Sequence, residues 1–143
     1  MSKTRISVFL LAAVALCLSA LPAFAHHSFQ AEFDGSKLIY VTGTLTKFDW
    51  ENPHIYFYMD VKDASGKVTP WVIEGASPNV VKRTGSTRQD FLDSIGKSIT
   101  VRACPAKNGM PRAAAETIKV PDGRELVVGG KRYSGEDGGK SEN

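Results

Sequence analysis

Cysteine is nearly absent from this chain. There are two in 143 residues, and Cys17 lies in the apolar opening stretch. Without that stretch Cys104 stands alone, so no disulfide within the chain is possible. A lone thiol in an oxidising compartment is buried, bound to metal or paired with another chain; burial as a small apolar side chain is the expectation. An excess of one charge is also lacking. Eighteen Lys and Arg face 15 Asp and Glu, a net charge of +3, and removing Lys3 and Arg5 with the opening stretch lowers it to +1. That excludes a strongly electrostatic partner, nucleic acid foremost. No phosphate loop is present: "GGKRYSG" at 129–135 lacks the spacing and precedes no helix. Ser28, His27 and Asp34 have the residue types of a hydrolase triad. They sit in one short polar segment with nothing to orient the base, and no oxyanion motif accompanies them. Asp49, Glu51 and Glu74 fall at strand ends, where acidic residues usually face solvent.

Long apolar runs are scarce too, with one exception. Residues 6–18 are apolar but for Ser7; Lys3 and Arg5 precede them, and Pro22 leads into Ala23-Phe24-Ala25. A positive start, a short apolar core and a small-x-small ending describe a secretory signal peptide. The run is too short for a membrane span, and no stop-transfer pattern follows. The expected leader is 1–25, so the mature chain begins at His26 in the periplasm or outside the cell.

After a polar segment the chain reads as strands. "LIYVTGTLTKFDW" at 38–50 is rich in β-branched and aromatic residues, with Gly43 an expected bulge or kink. Pro53 ends it, because proline supplies no ladder N–H. In "HIYFYMDV" at 54–61, Ile55, Phe57, Met59 and Val61 alternate with His54, Tyr56, Tyr58 and Asp60; the first set is the expected core face. "KDASGK" is a turn into a third strand at 68–76, which makes a hairpin. Ser77, Pro78 and Gly85 bracket a short helix, and a second helical turn is expected from Ser86 or Thr87 to Gly96. Strands follow at 97–104, 113–120 and 124–128. The tail, 129–143, has five glycines and many charges, the composition of a disordered segment.

Three strands, a helical connection, then two or three more strands is the order of a small barrel of the oligonucleotide/oligosaccharide-binding (OB) type. The expected fold is all-β: an OB-like barrel of five to six strands over 26–128, with a short helix between strands three and four. A β-sandwich is the alternative.

Four motifs carry a resemblance: "AHHSF" at 25–29, "VTGTL" at 41–45, "WENPH" at 50–54 and "EGASPN" at 74–79. With the leader before them, the chain resembles a family of small exported bacterial proteins of unknown function. The likeness spans nearly all of 25–128 and implies no particular activity, substrate or cofactor. It implies that all three histidines, His26, His27 and His54, lie within family motifs. "RTGST" at 83–87 departs from the pattern, which would put an aromatic after the glycine.

Cleavage after Ala25 gives His26 a free α-amino group. Amine and imidazole together chelate one ion, and an imidazole from His27 or His54 completes a three-nitrogen set. Tetragonal nitrogen ligands favour Cu(II), and an α-amine deprotonates readily near neutral pH. The set is analogous to a histidine brace. In a competing geometry the amine, the next amide and the His27 ring wrap the ion without a folded protein. Zinc would add a carboxylate such as Glu32, Asp34 or Asp49. A soft site from Cys104, Met110 and Met59 is not expected, because Met59 falls on the core face. Trp50, Tyr56, Tyr58 and Trp71 lie on or beside the first three strands, where aromatics stack ligands or plug the barrel.

The leading expectation is an exported binding module rather than an enzyme, holding copper through His26, His54 and His27 for carriage or sensing. A second is a metal-free accessory module binding a protein or small ligand on Trp50, Tyr56 and Tyr58. A third is a copper-dependent oxidase.

Overall fold

The computed structural model describes residues 29–129. The apolar opening stretch, His26, His27 and the tail from residue 130 lie outside the described residues, and so do the expected cleavage after Ala25 and the expected disorder of the tail. The chain divides into two compact units, Met1–Ala31 and Glu32–Asn143. Residues 29–32 are helical; everything described from Glu32 onward belongs to the second unit.

That unit is a closed barrel. Its strands are β1 (Ile39–Asp49), β2 (Tyr56–Lys62), β3 (Val68–Glu74), β4 (Ser98–Pro105), β5 (Arg112–Lys119) and the short β6 (Glu125–Val127). Helices α1 (Pro78–Arg83) and α2 (Arg88–Leu92) lie between β3 and β4. The long β1 is shared: its first half pairs with β4 and its second with β2, with Thr44 in both ladders. Closure comes from one short parallel match, in which Val72, Ile73 and Glu74 pair with Arg112, Ala113 and Ala114. The resulting circuit is β1-β2-β3-β5-β4-β1, with β6 added beside β5. This is the expected OB-like architecture, not a sandwich, because the parallel pair joins the sheet into a ring.

Gly43 stands where β1 changes partners. A Cβ there would lie 2.5 Å from the Asp60 carbonyl oxygen, so the residue permits a close backbone approach. The bulge itself falls further on, at Thr46, where the pairing slips between Leu45 and Lys47.

The alternation in β2 sorts as the sequence pattern predicts. Ile55, Phe57 and Met59 are buried in the barrel, whereas His54, Tyr56 and Tyr58 are half-buried on its outside. Val61 is only half-buried, since it lies past the last β1–β2 pair at Thr44 and Asp60. One barrel end is stoppered from α2. Thr87 caps that helix in a reciprocal box with Asp90, which satisfies two amides that a five-residue helix would leave open. The cap sets the helix so that Phe91 is fully buried, 4.9 Å from the Phe57 ring and 5.9 Å from Phe48.

Candidate functional site

The outside of the barrel over β1, β2, β3 and β5 is a grid. Cross-strand partners share a face, so pairing defines its rows. One row is Asp49, Tyr56, Glu74 and Ala114; the next is Lys47, Tyr58, Val72 and Arg112. His54 sits at the edge, in the turn that enters β2. That turn is pinned by backbone bonds from the Ile55 N–H to the Ala76 carbonyl (3.1 Å) and from the Gly75 N–H to the Ile55 carbonyl (2.8 Å).

Polar contacts tie the rows together. His54 Nδ1 is bonded to Glu74 Oε1. A carboxylate only accepts, so Nδ1 carries the proton and Nε2 is the remaining ring nitrogen. Nε2 has no hydrogen-bond partner among the described residues. The other Glu74 oxygen lies 3.7 Å from Arg112 Nη2, and that nitrogen lies 3.4 Å from Glu32 Oε2. One guanidinium thus bridges β3 and the segment before β1. Glu74 is the most enclosed member of the chain, its side chain 15% exposed against 35% for His54 and Arg112. A mostly buried carboxylate with two cationic or N–H partners is satisfied rather than stranded.

Tyr56 stands between these groups. Burial, and then the Glu74 charge, push its phenol above the ordinary range. Its hydroxyl has no partner among the described residues. Tyr58 is held differently. Its hydroxyl donates to Asp49 Oδ2 at 2.9 Å, Lys47 Nζ reaches Asp49 Oδ1 at 2.8 Å, and the same ammonium lies 5.0 Å from the Tyr58 ring centroid. Lys47 and Tyr58 hold the Asp49 carboxyl below its usual range. The bond to Asp49, and then burial, raise the Tyr58 phenol.

The expected residues therefore separate. Tyr56, Tyr58 and His54 share one outer face. Trp50 joins the end stopper instead, edge-on to Phe48 at 6.3 Å and 5.8 Å from Phe91. Trp71, opposite Met59 on β3, packs half-buried against the core. Among the carboxylates weighed for zinc, Asp49 is engaged by Lys47 and Tyr58. Asp34 binds the Ser36 hydroxyl at 2.6 Å and Lys37 at 3.0 Å; the Ser36 bond, followed by Lys37, lowers its carboxyl to about 2. Glu32 alone connects, through Arg112, to Glu74 and His54. No group of three His, Cys, Asp or Glu among the described residues is arranged to hold a metal ion. The sulfurs are dispersed: Cys104 is a buried thiol raised by burial, Met59 lies in the core, and Met110 is exposed before β5.

Three features escape sequence reading in whole or in part. Glu74 was legible in part, because counting back from the "KDASGK" turn pairs it with Tyr56. Arg112 was not, since only the β3–β5 closure brings it there. A third, Glu116, is a buried carboxylate at a β5 bulge, with Arg102 Nη1 2.8 Å away but not in hydrogen-bonding line. No long apolar helix able to cross a membrane occurs among the described residues.

Comparison with curated proteins finds no match, and comparison with solved structures finds none either. The model of DUF6152, a family of unknown function, matches residues 13–115, and the chain belongs to that family.

Proposed function

We propose that the chain is an exported binding module that holds a copper ion through His54 and the mature amino terminus, for carriage or sensing. The ligands would be the amine and ring of His26, the ring of His54, and His27 as the alternative second imidazole. The observation that carries this reading is the contact of His54 Nδ1 with Glu74. A carboxylate on one ring nitrogen fixes the tautomer and makes the other a better metal ligand, the usual second partner of a metal-bound histidine. The Arg112 bridge adds support. It ties Glu32 to the carboxylate that holds His54, which keeps that carboxylate charged behind the ring. Cu(II) is the favoured ion for such nitrogen donors.

The test is a Cu(II) titration with electron paramagnetic resonance on protein cleaved by its own leader, its terminus confirmed by mass. One-to-one binding with three nitrogen ligands is expected. It should weaken strongly in His54→Ala and in a variant with one extra residue before His26. Binding indifferent to both changes would refute the folded site and leave only a peptide-like His26–His27 chelate.

A second reading, a metal-free accessory role on the outer face, rests on the placement of Tyr56 and Tyr58 two positions apart on β2, with the Tyr56 hydroxyl unengaged among the described residues. Its measurement is ligand binding after chelator treatment.

A further inference from the structure

We infer that the grid centred on Tyr56 and Tyr58 is a binding surface for an uncharged saccharide. This rests on the second reading above and is independent of the metal.

Three chemistries are excluded by the face itself. β2 is hydrogen-bonded on one side to β1 and on the other to β3, so its backbone offers no edge for an added peptide strand. Recognition here is by side chains alone. A polyanion would need surplus positive charge. Both cations, Lys47 and Arg112, already face carboxylates of Asp49, Glu74 and Glu32. A purely apolar ligand would strand those ion pairs away from water, at the penalty that buried unpaired polar groups carry.

The remaining features are positive. Tyr56 and Tyr58 are two positions apart on one strand face, so their Cα atoms lie about 6.6 Å apart along it. The Tyr56 ring, and the face of the Tyr58 ring that Lys47 Nζ (5.0 Å from its centroid) does not cover, offer stacking surfaces for the apolar faces of sugar rings, as aromatic platforms do for bases. Around them stand planar or forked groups with hydrogen-bonding capacity to spare. The Arg112 guanidinium contacts its carboxylates only at 3.4 and 3.7 Å, leaving donors for hydroxyl oxygens. The Tyr56 hydroxyl has no partner among the described residues. Tyr58 is locked by Asp49 and Lys47, and a locked ring loses little freedom on binding. Hydrogen bonds to a sugar from ion-paired side chains keep each charge neutralised. An uncharged polyhydroxyl ligand satisfies both the rings and the paired charges.

The test uses cleaved, metal-free protein and amide NMR titration with cellohexaose, chitohexaose and maltohexaose. A heparin hexasaccharide and spermidine serve as charged probes. At least one neutral hexaose should shift residues 47–49, 56–58 and 72–74 saturably. Tyr56→Ala should weaken that binding by about tenfold or more. Should Tyr56→Ala unfold, Tyr56→Phe keeps the ring and removes the open hydroxyl, with a several-fold loss expected. No shift with any neutral hexaose at millimolar concentration overturns the inference. So does tighter binding of either charged probe, or wild-type affinity in the Tyr56 variant that folds. None of these results bears on copper binding, which is scored separately.

Discussion

Glu74→Gln isolates the group on which the metal reading depends. The substitution keeps the shape of the side chain and removes its charge. Glutamine still accepts from His54 Nδ1, but a bond to a charged acceptor contributes about 1.5–3 kcal/mol and a neutral one about 0.5–1.5. The loss at that contact is therefore about 1 kcal/mol. At Arg112 the separation is 3.7 Å and the guanidinium is 35% exposed, so screening limits the further loss to about 0.5 kcal/mol. The sum, about 1.5 kcal/mol, lowers Tm by about 6–12 °C in a domain of this size. The effect on copper is separate. Loss of a carboxylate behind a ligating histidine typically weakens metal binding 10- to 100-fold, about 1.4–2.8 kcal/mol. Thermal unfolding by circular dichroism without metal gives the first quantity, and Cu(II) competition against a chelator of known affinity gives the second. A lowered Tm with wild-type copper affinity would refute the reasoning, because Glu74 would then be a structural partner that does not act through His54. An unchanged Tm would show that the buried contact contributes nothing to folding.

Phe91→Ala should destabilise by about 3–5 kcal/mol, the usual range for removing a buried Phe; denaturant unfolding with an unchanged tertiary spectrum at zero denaturant but no fall in midpoint would contradict its role as the stopper. Gly43→Ala should separate β1 from β2, because the new methyl would sit 2.5 Å from the Asp60 carbonyl oxygen; faster amide exchange confined to residues 43–46 and 59–61 is the expected signature. The Asp34 carboxyl should titrate in the folded state at about 2, below its unfolded value of about 3.9. Its stabilising contribution is thus present above that unfolded value and disappears as pH falls through about 2. Carboxyl-carbon NMR gives the midpoint, and Ser36→Ala, which deletes the leading cause, should move it upward. Arg102→Ala would leave Glu116 buried beside no cation, a loss of about 3–5 kcal/mol when one partner of a buried pair is removed. Recovery in the Arg102→Met, Glu116→Gln double variant, read by unfolding midpoint, distinguishes charge burial from lost packing.

How far the fold could be read from the chain depended on the range of the interactions. The two faces of β2 were legible because period-two alternation is local to the strand. Ile55, Phe57 and Met59 went inside, and His54, Tyr56 and Tyr58 outside. The first helix was legible from Pro78 at its first position; the second was legible only in outline, its start left between Ser86 and Thr87 and its end placed near Gly96, whereas the Thr87–Asp90 box starts it and it ends at Leu92. The β1 irregularity was harder. Glycine is a common signal for a bulge, but Gly43 answers the approach of Asp60 from another strand, and the bulge falls on Thr46, which carries no such signal. Trp50 and Tyr56 read alike as aromatics near one motif. Only packing separates them, because Phe91 comes from α2 and draws the indole toward the stopper.

The sequence by itself determined that the domain is built of alternating strands interrupted by one helical segment, and that Tyr56 and Tyr58 share a strand face with His54 just before it. Both follow from backbone periodicity and turn chemistry, which act over a few residues. Tertiary structure alone decided what stands beside His54. Glu74 arrives through the β2–β3 hairpin, and Arg112 through a three-residue parallel match between strands far apart in the chain. That register is set by how the whole barrel fills its core. No local pattern encodes it, because each strand's alternation is equally satisfied by any shift of two.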